Sequence, residues 1–295
     1  AVGCVLVQRG RIVGRGWTQP GGHPHAETVA LDQAGAVARG ATAYVTLEPC
    51  AHHGTTSPCA DALIAAGVAR VVAPLTDRDP RVSGQGFDRL RAAGVEVATG
   101  LMAEEAARDH AGFFLKTTAQ RPLLTLKLAS SFDGRLATST GHSQWITGPA
   151  ARRFVHGLRA RYDAVMVGAG SARADDPALT VRDMGMSHQP VRVVVSRWVD
   201  VPLFSNLARS ARDVPVWICH GADADTERRT AWQGLGARLL TCRVTGARLN
   251  PQDVLAQLAG QGLTRVLCEG GGTLAASLLT ADLVDELIGF TAGLA

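Results

Sequence analysis

The chain has 295 residues, of which 46% are hydrophobic, and its 30 basic and 26 acidic residues give a net charge of +4. This length suggests two domains, and the composition excludes a disordered or fibrous chain. No basic run is interleaved with aromatic residues, so a nucleic-acid partner is not predicted. No apolar run approaches the ~20 residues of a membrane span, so a membrane partner is not predicted either.

The six cysteines are spread thinly over the chain, unlike the dense spacing of a disulfide scaffold. The sequence opens directly with Ala-Val-Gly-Cys-Val-Leu-Val, and no signal peptide is recognised there. A reducing, cytoplasmic location is therefore expected.

The first half of the chain alternates predicted strands and helices, which is typical of an α/β sandwich with a mixed sheet. Apolar runs predict strands at 2–7, 12–17, 43–47, 69–74 and 95–98. Helical spacing of apolar residues predicts helices at 25–38, 59–66, 87–93 and 103–115. We expect this first domain to cover residues 1–116.

A Thr-Thr-Ala-Gln-Arg-Pro segment at 117–122 predicts a linker, after which the alternation restarts. Strands are predicted at 123–128, 164–168, 191–195, 214–219, 265–268 and 286–291, and helices at 149–161, 251–260 and 273–280. This pattern predicts a second α/β domain over residues 123–295.

Three candidate metal ligands occur in the first half. His25 opens a predicted helix, and eight residues separate Cys50 from Cys59, which opens the next helix. One imidazole and two thiolates suit tetrahedral Zn²⁺ and leave a fourth position open, as in catalytic sites. A helix N-terminus also stabilises the thiolate form of a cysteine. The sequence therefore predicts a catalytic zinc site.

Glu27 follows His25 by two residues, so its carboxylate can approach the metal site without being a ligand. A His-x-Glu and a later Pro-Cys…Cys form the pattern of zinc deaminases, in which this Glu moves protons. The departure is the eight-residue gap between the cysteines, where two is usual. A structural zinc in a non-enzymatic regulator is the competing interpretation, and the presence of Glu27 argues against it.

The motifs resemble the bifunctional riboflavin-biosynthesis deaminase/reductase family over nearly the whole chain. In the first half they are Pro-His-Ala-Glu at 24–27, Glu-Pro-Cys-Ala-His-His-Gly at 48–54 and Cys-Ala-Asp-Ala-Leu-Ile-Ala-Ala-Gly at 59–67. In the second half they are Leu-Lys-Leu-Ala-Ser-Ser-Phe-Asp-Gly-Arg at 126–135, Ser-Gln-Trp-Ile-Thr at 143–147, Ala-Asp-Asp-Pro-Ala-Leu-Thr-Val-Arg at 174–182 and Glu-Gly-Gly-Gly at 269–272.

This resemblance implies a cytidine-deaminase-like three-layer sandwich followed by a dihydrofolate-reductase-like domain whose last strands would follow Ala295. It implies hydrolytic deamination of a small-molecule substrate, 2,5-diamino-6-(5-phosphoribosylamino)pyrimidin-4-one, and then NADPH reduction of the ribosyl chain to ribityl. A homo-oligomer is also expected. Thr18, Thr55 and Asp79 depart from the residues common in the family at those positions.

The resemblance also implies residue roles. The expected substrate-binding residues are His52, Asp77, Ser143, Arg159, Arg182 and Glu269. The expected NADPH-binding residues are Ala129, Trp145, Ser171, Asp175, Ser196, Gly271, Gly272 and Thr273.

The residues themselves support part of this expectation. Strand 265–268 precedes a glycine-rich turn and a helix, a pattern that presents backbone N–H groups to phosphate but also occurs in plain turns. Lys127 lies in an apolar strand, where a buried ammonium needs a partner such as Asp133 or Glu269, and we expect it to bind substrate. The alternative function is a single-function pyrimidine deaminase whose second domain only binds a ligand.

Overall fold

The computed structural model describes residues 1–52, 57–138 and 146–293. The chain folds into two compact units, Ala1–Thr118 and Ala119–Ala295, each with a sheet of its own.

Unit 1 is built on a five-stranded mixed sheet in the order β2-β1-β3-β4-β5. The strands are β1 (Gly3–Gln8), β2 (Arg11–Trp17), β3 (Thr42–Val45), β4 (Arg70–Ala73) and β5 (Glu96–Thr99). The pairs β1–β2 and β1–β3 are antiparallel, whereas β3–β4 and β4–β5 are parallel. The helices are α1 (Ala26–Ala34), α2 (Cys59–Ala65), α3 (Gln85–Ala92) and α4 (Ala103–Ala119).

Helix α1 lies directly on the sheet because both surfaces carry small residues. A Cβ atom at Gly16 would lie 2.1 Å from the Ala26 carbonyl oxygen, and one at Gly14 would lie 2.2 Å from that of Ala30. A larger residue at either glycine would push α1 away from β2. This close approach buries the first turn of α1, including Glu27, which is only 3% exposed.

Unit 2 is built on a seven-stranded, wholly parallel sheet in the order β10-β9-β8-β7-β13-β6-β14, beside a short hairpin of β11 and β12. The strands are β6 (Leu123–Ser130), β7 (Ala164–Gly168), β8 (Val191–Val195), β9 (Val216–Gly221), β10 (Arg238–Cys242), β11 (Val244–Thr245), β12 (Arg248–Leu249), β13 (Arg265–Cys268) and β14 (Glu286–Thr291).

Helices cover both faces of this sheet, as parallel sheets require. They are α5 (Pro149–Arg159), α6 (Ala169–Asp175), α7 (Asn206–Arg209), α8 (Thr226–Gly234), α9 (Pro251–Gly260) and α10 (Gly272–Thr280). Successive side chains of β7 point to opposite faces of the sheet. Met166 therefore packs in one buried apolar cluster and Val165 in the other. The carboxyl ends of the parallel strands meet at one edge, which is where open α/β sheets bind ligands.

The predicted linker at 117–122 is wrong in its first residues, because α4 continues to Ala119. The predicted helix 25–38 is an α-helix only to Ala34 and then becomes a 3₁₀ turn (Gly35–Ala38), since Gly35 has a φ of 53°. The sequence interpretation missed α8, which lacks an apolar stripe. The start of this helix could have been recognised from Asp225, an N-cap residue that accepts a hydrogen bond from the Arg228 amide.

Candidate active sites

The three predicted metal ligands of unit 1 converge at the N-terminal ends of two helices. His25 immediately precedes α1, Cys59 is the first residue of α2, and Cys50 lies in the loop after β3. Their ligand atoms all lie within 4.8 Å of one another. His25 Nδ1 is 3.3 Å from Cys59 Sγ and 3.6 Å from Cys50 Sγ.

This spacing fits zinc. Tetrahedral coordination with ordinary Zn–N and Zn–S bonds separates nitrogen from sulfur by about 3.5 Å along each edge. Both measured separations lie near that value. Three donors on one side of the cluster leave a fourth coordination position for water or substrate.

The electrostatics of the cluster favour a negatively charged sulfur. Hydrogen bonding from the Cys59 thiol, assisted by His25 and the Cys59 backbone amide, lowers the pKa of Cys50. The hydrogen bond to Cys50 in turn raises the pKa of His25 and, together with burial, that of Cys59. Such mutual hydrogen bonding among imidazole and thiols is what a metal ion replaces when it binds.

Glu27 lies in the first buried turn of α1, beside the metal-ligand cluster. Burial raises the pKa of its carboxyl to about 7, and Cys50 and His25 are among the charged groups that act on it. The structure therefore brings together all four residues that the sequence predicted for the metal site and proton transfer.

The predicted pyrimidine-binding residues of unit 1 are His52 and Asp77. His52 Nδ1 is buried and has no hydrogen-bond partner among the residues that the structure describes. Asp77 is 8% exposed, and its Oδ1 atom accepts the Asp79 amide at 2.8 Å. Burial is the main cause that raises the pKa of Asp77.

Glu48 is a residue of this region that the sequence interpretation did not select as a site residue. It is 4% exposed, and its carboxylate accepts backbone N–H groups from Asp77, Gly84, Gly86 and Phe87. The sequence did contain an indication of this role. Glu48 lies two residues before Cys50 at the end of an apolar segment, and a carboxylate in such a place needs hydrogen-bond donors.

In unit 2, many of the predicted residues share the carboxyl edge of the parallel sheet. Ala129 lies near the end of β6, Ser171 follows β7, Ser196 follows β8, and Glu269 and Gly271 follow β13. The Gly271 amide donates to Ser171 Oγ at 2.9 Å and immediately precedes α10, which begins at Gly272 and Thr273. A helix N-terminus at this edge suits a cofactor phosphate.

The glycines of this turn permit the close packing. A Cβ atom at Gly270 would lie 3.0 Å from the Gly168 amide nitrogen and 2.9 Å from a Leu274 methyl. The backbone between β13 and α10 is therefore held against β7 with no side chain in between.

Arg159 and Glu269 were both predicted to bind substrate, and the structure joins them in one ion pair. The guanidinium donates to the two carboxylate oxygens at 2.6 and 3.0 Å, and both side chains are nearly buried. A third Arg159 hydrogen bond, at 3.0 Å, goes to the Thr180 carbonyl. The residues lie 110 positions apart, so sequence proximity could not have shown the pairing.

Lys127 lies beside this pair. It follows Leu126, which is paired with Cys268, so Lys127 and Glu269 come next in the register. Its ammonium lies 5.6 Å from the centre of the Phe290 ring. Burial lowers the pKa of Lys127, while the Glu269 charge opposes that shift. Asp133, the other suggested partner, is exposed and bonded to Ser131 instead.

An open cavity of about 450 Å³ has Thr147, Gly148, Ala151 and Phe290 among its lining residues. Phe290 is the residue whose ring lies near the Lys127 ammonium. This volume falls within the range of small-molecule sites.

The remaining predicted residues are placed less centrally or not described. Arg182 is exposed, and its amide donates to His156 Nδ1 at 3.3 Å. Asp175 is exposed at the end of α6. Ser196 is buried, and its hydroxyl donates a hydrogen bond to Asp200 at 2.6 Å. Ser143 and Trp145, like Thr55, lie outside the described residues.

Comparisons with known proteins match the two units to two different families. Residues 1–75 match the cytidine and deoxycytidylate deaminase zinc-binding region, and residues 122–294 match the RibD C-terminal domain. The riboflavin biosynthesis protein RibD of Escherichia coli is 43% identical over 99% of this chain and 81% of its own length. That of Aquifex aeolicus is 39% identical over 99% and 80%. The structure of Acinetobacter baumannii RibD superposes with a TM-score of 0.85 at 39% identity, covering 98% of this chain and 79% of that one.

The fold and the metal-ligand cluster define an α/β enzyme that joins a zinc-binding deaminase of the cytidine-deaminase type to a dihydrofolate-reductase-like reductase. The chain belongs to the RibD family. It is thus a bifunctional deaminase and reductase of riboflavin biosynthesis, and its sites fit Zn²⁺ and NADPH as cofactors. Among the described residues, none of the helices combines the length and apolar character that a membrane crossing requires.

Proposed function

We propose that unit 1 hydrolytically deaminates 2,5-diamino-6-(5-phosphoribosylamino)pyrimidin-4-one and that unit 2 reduces the ribosyl chain of the product to ribityl. The observation that carries the first reaction is the convergence of His25, Cys50 and Cys59 beside a buried Glu27. A solved relative from Thermotoga maritima, 33% identical, is described as a diaminohydroxyphosphoribosylaminopyrimidine deaminase/5-amino-6-(5-phosphoribosylamino)uracil reductase, which supports this substrate.

In the deaminase site, His25 Nδ1 and the two Sγ atoms would hold zinc. Zinc supplies Lewis acidity that makes water nucleophilic near neutral pH. The Glu27 carboxylate would accept a proton from the attacking water and deliver it to the departing amino group, so that ammonia leaves. His52 and Asp77 would orient the pyrimidine through ring and carboxylate hydrogen bonds.

In the reductase site, NADPH supplies the hydride when bound. Ala129, Ser171, Asp175, Ser196 and the residues 271–273 would hold it, together with Trp145. The shared carboxyl edge and the exposed amides at the start of α10 support this assignment. The expected substrate contacts come from Lys127, Ser143, Arg159, Arg182 and Glu269.

The Arg159–Glu269 pair supports the substrate assignment in a specific way. The guanidinium and carboxylate fix each other's orientation before any ligand binds, and such preorganisation reduces the entropy lost on binding. Lys127 adds an ammonium at the same end of the sheet. The three charged groups give this edge both donors and acceptors for a polyhydroxylated chain.

We also propose domain limits of 1–116 and 123–295, which the boundary between the two compact units near residue 118 supports. A homo-oligomer is a further proposal. Light scattering on the purified protein tests it, and a monomeric mass would contradict it.

A coupled assay tests the two-step proposal. Ammonia release and NADPH oxidation are followed together on metal-analysed protein supplied with the diaminopyrimidine substrate. Both signals, with about one zinc per chain, are expected. Ammonia release without NADPH oxidation would favour the single-function deaminase. The absence of both signals would contradict the proposed substrate.

A further inference from the structure

Glu48 is a buried carboxylate for which the described residues show no ion pair. Oε2 accepts the amides of Asp77 and Gly84, both at 2.9 Å. Oε1 accepts those of Gly86 and Phe87, at 2.9 and 3.4 Å. Four backbone N–H donors therefore stabilise the charge, and two of them belong to the first turn of α3, where the helix dipole favours an anion.

These four donors connect two parts of the deaminase unit. On one side is the segment 76–87, which carries Asp77 and leads into α3. On the other is the segment 47–50, which ends at the metal ligand Cys50. The Glu48 amide also donates to the Leu75 carbonyl at 3.1 Å, so main chain and side chain both join the ends of β3 and β4.

Gly86 brings the same two segments into direct contact. A Cβ atom at this position would lie 2.0 Å from the Pro49 carbonyl oxygen. Pro49 immediately precedes Cys50, so the start of α3 packs against the backbone that presents a metal ligand.

We propose that Glu48 is a positioning residue for deamination, which sets the place of Asp77 relative to the metal-ligand cluster by holding segment 76–87 against Cys50. The inference rests on the proposed pyrimidine-binding role of Asp77. Glu48 contacts no reacting atom in this arrangement and acts through the Asp77 amide. The carboxylate of Asp77 in turn accepts a hydrogen bond from the Asp79 amide, so the next residues of the loop are also held in place.

The chemistry requires a carboxylate at this position. An amide would place an N–H₂ group opposite two of the four backbone donors, so those donors would lose their acceptor inside the protein. Unsatisfied buried donors are costly, and the loop would shift to avoid them.

The test compares Glu48→Gln with wild type and with Glu96→Gln in the full chain. Glu96→Gln is a matched control, because it makes the same chemical change at an exposed carboxylate on β5. The measurements are zinc content, KM and kcat for ammonia release, and amide hydrogen exchange of Asp77, Gly84 and Gly86.

We expect Glu48→Gln to keep about one zinc per chain and to raise KM about tenfold or more with a smaller change in kcat, since charge-assisted hydrogen bonds to the loop are lost. The three amides should exchange faster. Asp77→Asn should add little further loss to Glu48→Gln, because residues that act through one another are not additive.

Loss of zinc in proportion to activity would overturn the proposal, because Glu48 would then support the metal site itself. Full additivity with Asp77→Asn, or unchanged KM and exchange, would overturn it as well. Exchange and zinc content need no turnover. They decide the positioning role even if wild type releases no ammonia from the proposed substrate, a result that would contradict the proposed function alone.

Gly86→Ala provides an independent perturbation if Glu48→Gln does not fold. It leaves the carboxylate intact and forces α3 away from the Pro49 carbonyl. The same rise in KM with retained zinc is expected, and an unchanged KM would contradict the proposal.

Discussion

The two candidate sites of this chain are assembled over very different sequence distances. The metal ligands of unit 1 lie between residues 25 and 59, and each is placed by the start of a helix or the loop after a neighbouring strand. The Arg159–Glu269 pair of unit 2 instead joins the end of α5 to the end of β13. The first site depends on local helix and loop geometry, and the second depends on strand order.

This contrast shows where each site is vulnerable. In unit 1 the donors are held near coordination distance, so a change in one proton-transfer group should alter chemistry and leave the metal in place. In unit 2 the polar groups stabilise each other, so removing one leaves its partner nearly buried and uncompensated.

The largest expected effect comes from Glu27→Gln. Loss of a positioned acid–base group typically costs about 10²–10⁴-fold in rate, and the amide cannot accept the proton. Ammonia release should fall by that factor, whereas zinc content and NADPH oxidation of separately supplied deaminated substrate should be unchanged. The measurement is steady-state kinetics with metal analysis. Ammonia release at the wild-type rate would refute the proton-transfer role.

Glu269→Gln should produce the next largest effect. Arg159 would lose its charged partner, which we expect to cost about 1–3 kcal/mol in the unfolding free energy of unit 2 and to slow NADPH oxidation about tenfold. Denaturant unfolding and the reductase assay measure the two effects. Glu227→Gln, an exposed Glu on α8, is the matched control. A fall in ammonia release equal to that in NADPH oxidation would contradict the proposal of separate sites.

The smallest expected effect is a pH dependence at His156. Burial, followed by the charges of Arg159 and Arg182, lowers the pKa of His156 below 6.5, and Glu269 partly opposes this. A depressed folded-state pKa means that the unfolded chain binds the proton more tightly. The stabilisation is therefore present above pH 6.5 and is lost as the pH falls towards the folded-state pKa.

His156→Asn, whose side-chain oxygen can still accept the Arg182 amide, should weaken this dependence. The measurement is the free energy of unfolding of wild type and variant at pH values above and below 6.5. The two curves should differ in slope below that value, and parallel curves would exclude His156 as the cause.

Much of the fold could be predicted from local patterns. The apolar segments at 164–168, 191–195, 265–268 and 286–291 are strands with those limits, and helix 251–260 is observed as predicted. Helix α8 was not predicted, because its charged surface shows no apolar periodicity and its burial depends mainly on Trp232. The end of α4 was also misplaced, because threonines that suggest a linker bond to carbonyls one turn earlier.

The donor chemistry of the metal site and the alternation of strands and helices follow from the sequence alone. Both are properties of short segments, because ligand type, helix starts and apolar periodicity need no distant partner. Two other features could be seen only in the folded chain. Strand β13 lies between β6 and β7, which brings Lys127 beside Glu269. The Glu48 carboxylate accepts hydrogen bonds from four backbone amides of segment 76–87. These contacts join residues of different elements, and the strand order, register and loop packing that set them are decided over the whole unit.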